Sequence, residues 1–175
     1  NVTAANDAPT ASNNTVTTTE DNNHTFAASE FGFSDVDGDS LDHVTIETLP
    51  STGTLYLSGA AVSAGDEISL NDISNLVFTP VANGNGSPYD SFTFSVNDGT
   101  ADSASNYTMT VNVTAANDEP TVVDDADSVT EGGTVTETTN SGTGTVISDD
   151  SDVDGDSLSI SGTVTQTSAT ANGGS

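Results

Sequence analysis

Lysine, arginine and cysteine are all absent from this 175-residue chain. Without cysteine there is neither a disulfide framework nor a thiolate metal site, so other interactions hold the fold. Side-chain salt bridges are limited to two histidines, while 27 aspartates and glutamates give a formal charge of -27. Nucleic acid binding requires cations to neutralise phosphates, and docking on an anionic membrane requires basic side chains, so the composition disfavours both. No stretch approaches the roughly 20 apolar residues of a membrane-spanning helix, which argues against direct membrane insertion. Tryptophan is missing too, and Tyr56, Tyr89 and Tyr107 are the only tyrosines, which leaves little from which to build a sugar-stacking platform. The partners that this composition invites are cations.

Apolar residues make up 32% of the chain, enough for one sandwich core of about 100 residues and part of another. Acidic disordered tails lack strand patterning, whereas this chain has it. Beginning at Asn1 with no signal-like segment, it reads as an internal piece of a longer protein.

An internal repeat organises the sequence. Asn1-Val-Thr-Ala-Ala-Asn-Asp-Ala-Pro-Thr10 returns almost unchanged as Asn112-Val-Thr-Ala-Ala-Asn-Asp-Glu-Pro-Thr121, and Asp35-Val-Asp-Gly-Asp-Ser-Leu41 returns as Asp152-Val-Asp-Gly-Asp-Ser-Leu158. The anchors keep their order, as in a tandem array. Residues 1–9 read as a linker from a preceding repeat, 10–117 as a complete sandwich and 118–175 as the truncated start of a second.

Within the first module the apolar period is two, clearest in Phe92-Thr-Phe94-Ser-Val96 and Tyr107-Thr-Met109-Thr-Val111-Asn-Val113, the mark of a half-buried strand. Further strands are expected at 15–19, 24–27, 43–49, 54–57, 67–70 and 75–79, separated by turn residues. Together they predict an all-β fold of antiparallel β-sandwich modules in tandem. The expected core draws on Phe31, Phe33, Val44, Ile46, Leu55, Leu57, Leu76, Phe78, Phe92, Phe94, Tyr107, Met109, Val111 and Val113.

The chemically specific feature is Asp35-x-Asp37-Gly38-Asp39, repeated as Asp152-x-Asp154-Gly155-Asp156. Alternating acids in a glycine-turned loop aim three carboxylates at one point, and oxygen ligands are what a hard cation such as Ca2+ prefers. The plain alternative is a solvated turn, since Asp and Gly are turn residues in any case. An EF-hand does not fit: it needs glycine at loop position 6 and glutamate at 12, where this chain has Ser40 and Ile46, then Ser157 and Thr163. Ligands must come from elsewhere in the fold. Asn6-Asp7-Ala8-Pro9 and Asn117-Asp118-Glu119-Pro120 offer them at the junctions, where proline keeps the preceding residue extended. Glu20 and Glu131 occupy matching places in the two copies, and Asn97-Asp98-Gly99 adds a carboxylate in what is otherwise an ordinary hairpin-like turn.

Other motifs are weaker. His24 and His43 read as surface residues, because no serine nucleophile motif accompanies them. With 27 carboxylates, some pair falls at a glycosidase-like separation by chance. Asn-x-Thr sequons occur at Asn1, Asn13, Asn23, Asn106 and Asn112 and matter only in a host that glycosylates.

An Asn-Asp-x-Pro junction, an early glutamate, an Asp-x-Asp-Gly-Asp loop and then Phe92-Thr-Phe-Ser-Val-Asn-Asp-Gly99 resemble the cadherin-like repeats of giant bacterial adhesins of the RTX type. The second copy, with Asp127-Ser-Val-Thr-Glu131-Gly-Gly and Gly144-Thr-Val-Ile-Ser-Asp149 ahead of Asp152-Val-Asp-Gly-Asp-Ser-Leu158, is similar to VCBS-type repeats. The resemblance implies an Ig/cadherin-like fold and a calcium-stiffened stalk, exported by a type I system to the bacterial cell surface and serving attachment or biofilm formation. Carried over by position, it implies an interdomain Ca2+ site from Glu20, Asp98, Asn117, Asp118, Asp152, Asp154 and Asp156. Asn6, Asp7, Asp35, Asp37 and Asp39 would serve a junction with a preceding module. Neighbouring repeats of the same chain are the implied partners. Two other functions stay open: a calcium-dependent module that binds glycans or other cells, and a filament subunit that exchanges strands with identical subunits. None of these readings is enzymatic.

Overall fold

A computed structural model of the chain describes residues 5–122 and 150–159. It divides into two compact units, Asn1–Ala116 and Asn117–Ser175. Glu131, the segments 127–133 and 144–149 and the sequon at Asn1 lie outside the described residues.

Nine strands build the first unit: β1 (Asn14–Thr19), β2 (His24–Thr25), β3 (His43–Thr48), β4 (Thr54–Leu57), β5 (Ala60–Ala61), β6 (Glu67–Ser69), β7 (Leu76–Thr79), β8 (Gly86–Asn97) and β9 (Tyr107–Thr114). One sheet has the order β1-β9-β8-β3-β6 and the other β2-β7-β4-β5. All pairs are antiparallel except β1 with β9, which run parallel from Asn14↔Met109 to Thr19↔Thr114. This is the all-β sandwich that the period-two pattern predicts, in the Ig-like form that the resemblance implies. The short hairpin partner β5 was not expected, because Ala60-Ala61 carries no alternation; β8 begins six residues before Phe92, in the polar stretch from Gly86.

Alternation explains the core. Phe92, Phe94 and Val96 of β8, Met109, Val111 and Val113 of β9, and Val44 and Ile46 of β3 are buried against Leu55, Leu76 and Phe78 of the other sheet. Phe26, just after β2, meets Phe92 edge-on with ring centroids 5.6 Å apart, and Phe31 meets Phe94 the same way at 4.9 Å. Such edge-to-face pairs suit the ring quadrupoles. The expected core needs correction in both directions. Phe33, Leu57 and Tyr107 are only partly buried, whereas Val16, Phe26, Leu41, Val62, Ile68, Ile73 and Val96 are core residues that it omitted. Of the omitted residues, Phe26, Leu41, Val62, Ile68 and Ile73 lie in short strands, turns and loops that show too little periodicity to identify, whereas Val96 stands in the alternating run of β8.

A carboxylate ties the two sheets' connecting loop in place. Asp90 of β8 accepts N–H hydrogen bonds from Ser51 (3.1 Å), Thr52 (2.6 Å) and Gly53 (3.0 Å), besides that of Ser91 at 2.8 Å. Gly53 is required here, since a Cβ would stand 2.1 Å from the Phe78 ring. Partial burial pushes the Asp90 carboxyl up, but the N–H groups of Thr52, Gly53, Ser51 and Ser91 together outweigh it and hold it below its ordinary value. A lowered pKa means that stability is fully present above the ordinary carboxylate range and is lost as pH falls through the folded-state value. Asp90→Ala is therefore expected to cost about 1.5 to 3 kcal/mol at neutral pH, with the difference from wild type shrinking on acidification. Urea unfolding at neutral and acid pH measures it.

Candidate functional site

Strand direction sorts the acidic residues to the two ends of the first sandwich. β8 ends at Asn97 beside the start of β3, with His43 paired to Asn97 and the Asp42 N–H donating to the Asn97 carbonyl at 2.8 Å. The loop that precedes β3, carrying Asp35, Asp37 and Asp39, therefore lies at the same end as Asp98. β1 finishes at the far end, with Thr19 beside Thr114, and Glu20 follows it there.

In the loop, Asp35 Oδ1 accepts the N–H of Asp37 at 2.8 Å and of Asp39 at 3.1 Å. Gly38 closes the turn with φ 86°, a left-handed conformation that favours glycine. Asp37 Oδ2 accepts the N–H of Asp7 at 2.7 Å, so the segment leading into the sandwich is tied to the loop. Asn6 Nδ2 donates to the Asp7 carbonyl and to Asp98 Oδ2, both at 3.0 Å. Thr10 and Ser34 form a two-way backbone bridge, each N–H reaching the other's carbonyl at 2.8 Å.

One carboxylate oxygen each from Asp35, Asp37 and Asp39 lies within 4.8 Å of the others. At about 4 Å, two unit charges repel by about 1 kcal/mol in water and about 4 kcal/mol at an effective dielectric near 20. Asp35 Oδ2 is enclosed and has no hydrogen-bond partner, an expensive state for an anionic oxygen. An enclosed anionic oxygen beside two more carboxylates fits a hard divalent cation.

The second unit repeats the backbone-to-carboxylate bonds of this loop and its junction. Asp152 Oδ1 accepts the N–H of Asp154 (2.9 Å) and Asp156 (3.2 Å), and the Asp118 N–H donates to Asp154 Oδ2 at 2.7 Å. Asn117 Nδ2 donates to the Asp118 carbonyl at 2.8 Å, Gly155 has φ 79°, and Thr121 and Ser151 form the matching bridge at 2.8 and 3.1 Å. Each junction segment thus belongs structurally with the loop of the module it leads into.

The structure separates two residues that the carried-over site grouped. Asp98 stands with Asn6 at the N-terminal end of the sandwich, whereas Glu20 is at the opposite end. Asp98 is also well supplied with donors: its Oδ1 accepts the N–H of Thr100 and Ala101, both at 2.7 Å. Asn6 first, then Ala101 and Thr100, hold its carboxyl below the ordinary value. A turn locks Asp98 in place because its side chain reaches its own backbone three residues on.

Glu20 is almost fully buried, 1% exposed. Its Oε1 accepts the Ala116 N–H at 2.6 Å and its Oε2 accepts from Asn85 Nδ2 at 3.0 Å. Asn85, a partner that sequence reasoning missed, lies 65 residues away and carries no motif; only the fold reveals it. Asp21, with φ 58°, accepts the Asn83 N–H at 3.1 Å and ties the same two loops together. The histidines are engaged as well, His24 with Glu30 at 3.2 Å and His43 with Asp42 at 2.9 Å.

An Ig-like sandwich with acidic loops at its ends defines a structural module of the immunoglobulin type. Residues 6–114 match the family described as the bacterial Ig domain, and the chain belongs to that family. Its members are typically non-catalytic structural modules and are commonly found on extracellular surfaces. No curated protein and no solved structure matches the chain. No helix among the described residues is long and apolar enough to cross a membrane.

Hydrogen bonds from Asn85 and then Ala116 lower the Glu20 carboxyl, so its contribution to stability is complete above the ordinary carboxylate range and is lost as pH falls. Glu20→Gln keeps the shape but turns an acceptor into a donor facing one of two N–H groups. Its melting temperature is expected to lie below wild type at neutral pH and to converge with it on acidification, as thermal melts across that range will show.

Proposed function

We propose that this chain is part of the stalk of a large secreted bacterial adhesin: a calcium-stiffened extender whose work is length and rigidity, and not catalysis. The carrying observation is the repetition, in two units, of one hydrogen-bonded arrangement that fastens a junction segment to a three-carboxylate loop. In a chain with 27 acids and no lysine or arginine, only an added cation can neutralise such a loop. Asp35, Asp37 and Asp39 are the ligands we assign at the first loop, with Asn6 and Asp7 completing it from the junction. Asp152, Asp154, Asp156, Asn117 and Asp118 take the same roles at the second. Glu20 anchors the far end of the first module, and Asp98 positions Asn6.

In this reading, residues 1–9 are a linker, 10–117 a complete cadherin-like module and 118–175 the start of a VCBS-type one. The partners are neighbouring repeats of the same protein. Type I export to the cell surface, and a part in attachment or biofilm formation, follow from the same resemblance. An extender of this kind needs stiff junctions more than stable modules: the apolar core holds each sandwich without ions, whereas the loops have only repulsion once the cation is gone.

Thermal melting and small-angle scattering of the chain, in millimolar calcium and then in excess chelator, test the proposal. Chelation is expected to lower the melting temperature and to shift the scattering from a stiff to a flexible form. The double variant Asp37→Asn, Asp39→Asn in calcium is expected to melt closer to the chelated protein than to the calcium-loaded one. Unchanged melting and scattering in both comparisons would mean that the loops are solvated turns.

A further inference from the structure

The Asn-x-Thr sequences become unequal once they are placed on the fold. Asn112 is half-buried inside β9, between β1 and β8, opposite Thr17. Asn13 has its carboxamide oxygen engaged by the Thr108 N–H at 2.8 Å. Asn106 is exposed, but its threonine, Thr108, is a half-buried residue of β9. Asn23 combines an exposed asparagine with an exposed threonine. It lies between the turn after β1 and the start of β2. Its threonine, Thr25, is exposed in β2, a two-residue strand at the edge of its sheet. Asn23 is also the one sequon among the described residues with an acid two positions before it, Asp21.

We propose that Asn23 is an acceptor for N-linked glycosylation, taking a sugar activated on a diphosphate. Asn23 Nδ2 forms a bond to the anomeric carbon as the bond from that carbon to the diphosphate oxygen breaks. The electron pair leaves with the diphosphate, and the amide gives up one proton to a base of the transferase. The position has a physical use. β2 lies at the edge of its sheet, and its length of two residues already limits pairing with another chain. A hydrated glycan on the residue preceding β2 would cover that edge. The sugar can come from a lipid-linked oligosaccharide or from a nucleotide sugar, and a transferase that recognises Asp21 would do so with a basic side chain.

The test offers the purified folded chain to both systems: a bacterial oligosaccharyltransferase with lipid-linked oligosaccharide, and a soluble N-glycosyltransferase with nucleotide sugar. Sites are mapped by mass spectrometry after cleavage at acidic residues, since trypsin has nothing to cut. One glycan per chain at Asn23 in either arm is expected, lost in Asn23→Gln and in Thr25→Val, two exposed substitutions whose melting curves check that the fold is kept. The arm in which the glycan appears assigns the source, and loss of modification in Asp21→Asn, with its melting curve unchanged, shows that the acid is read. No glycan in either arm, or equal occupancy of Asn13, Asn106 and Asn112, overturns the proposal.

Discussion

Hydrogen bonds from backbone N–H groups to carboxylates fasten the loops and ends of this sandwich. A chain with no lysine or arginine has few ways to satisfy an acid inside the protein, and the backbone amide is the most abundant donor available. Asp90 gathers four such bonds, Asp98 two and Asp35 two, while Glu20 takes one from Ala116. Charge-assisted bonds of this type are stronger than neutral ones, and each fixes a turn that would otherwise rely on weak local propensity. The acids that give the protein its large negative charge are therefore also its loop fasteners. Glu20 apart, this division of labour keeps the acids out of an interior built mainly from Phe, Val, Leu and Ile.

The same principle distinguishes a fastened carboxylate from one that still needs a partner. At Asp90 the donors converge and the group is satisfied. At the Asp-x-Asp-Gly-Asp loop, Asp35 Oδ1 takes two donors, yet Oδ2 is enclosed with none. The local backbone cannot supply more, because Gly38 has already turned the chain so that the N–H groups face Oδ1. What remains is a small set of carboxylate oxygens with no internal counter-charge, and that incompleteness gives the calcium reading its physical basis.

Much of this was legible in the sequence. Period-two alternation located β8 and β9 and the inward faces of Phe92, Phe94, Met109 and Val111, because a half-buried strand writes its orientation directly into the chain. The repeated motifs identified both loops, and their hydrogen bonds do recur pair by pair. Strand direction was not legible. Whether Asp98 stands beside Glu20 or at the other end depends on β1 running parallel to β9 and β8 running against both, and no local pattern encodes that. Asn85 and Asp90 were hidden for a related reason: each acts on a segment tens of residues away, and neither residue type is unusual where it stands. β5 escaped notice because two alanines supply no alternation.

The central claim is that the two acidic loops, and not the general negative charge, are where a cation acts. A calcium titration followed by amide chemical shifts measures this residue by residue. The account predicts saturable shifts concentrated at 35–39 and 152–156 and at the junction residues Asn6, Asp7, Asn117 and Asp118, with Ser51–Gly53 beside Asp90 unmoved. Small, unsaturable shifts spread over the acidic surface in proportion to exposure would contradict it.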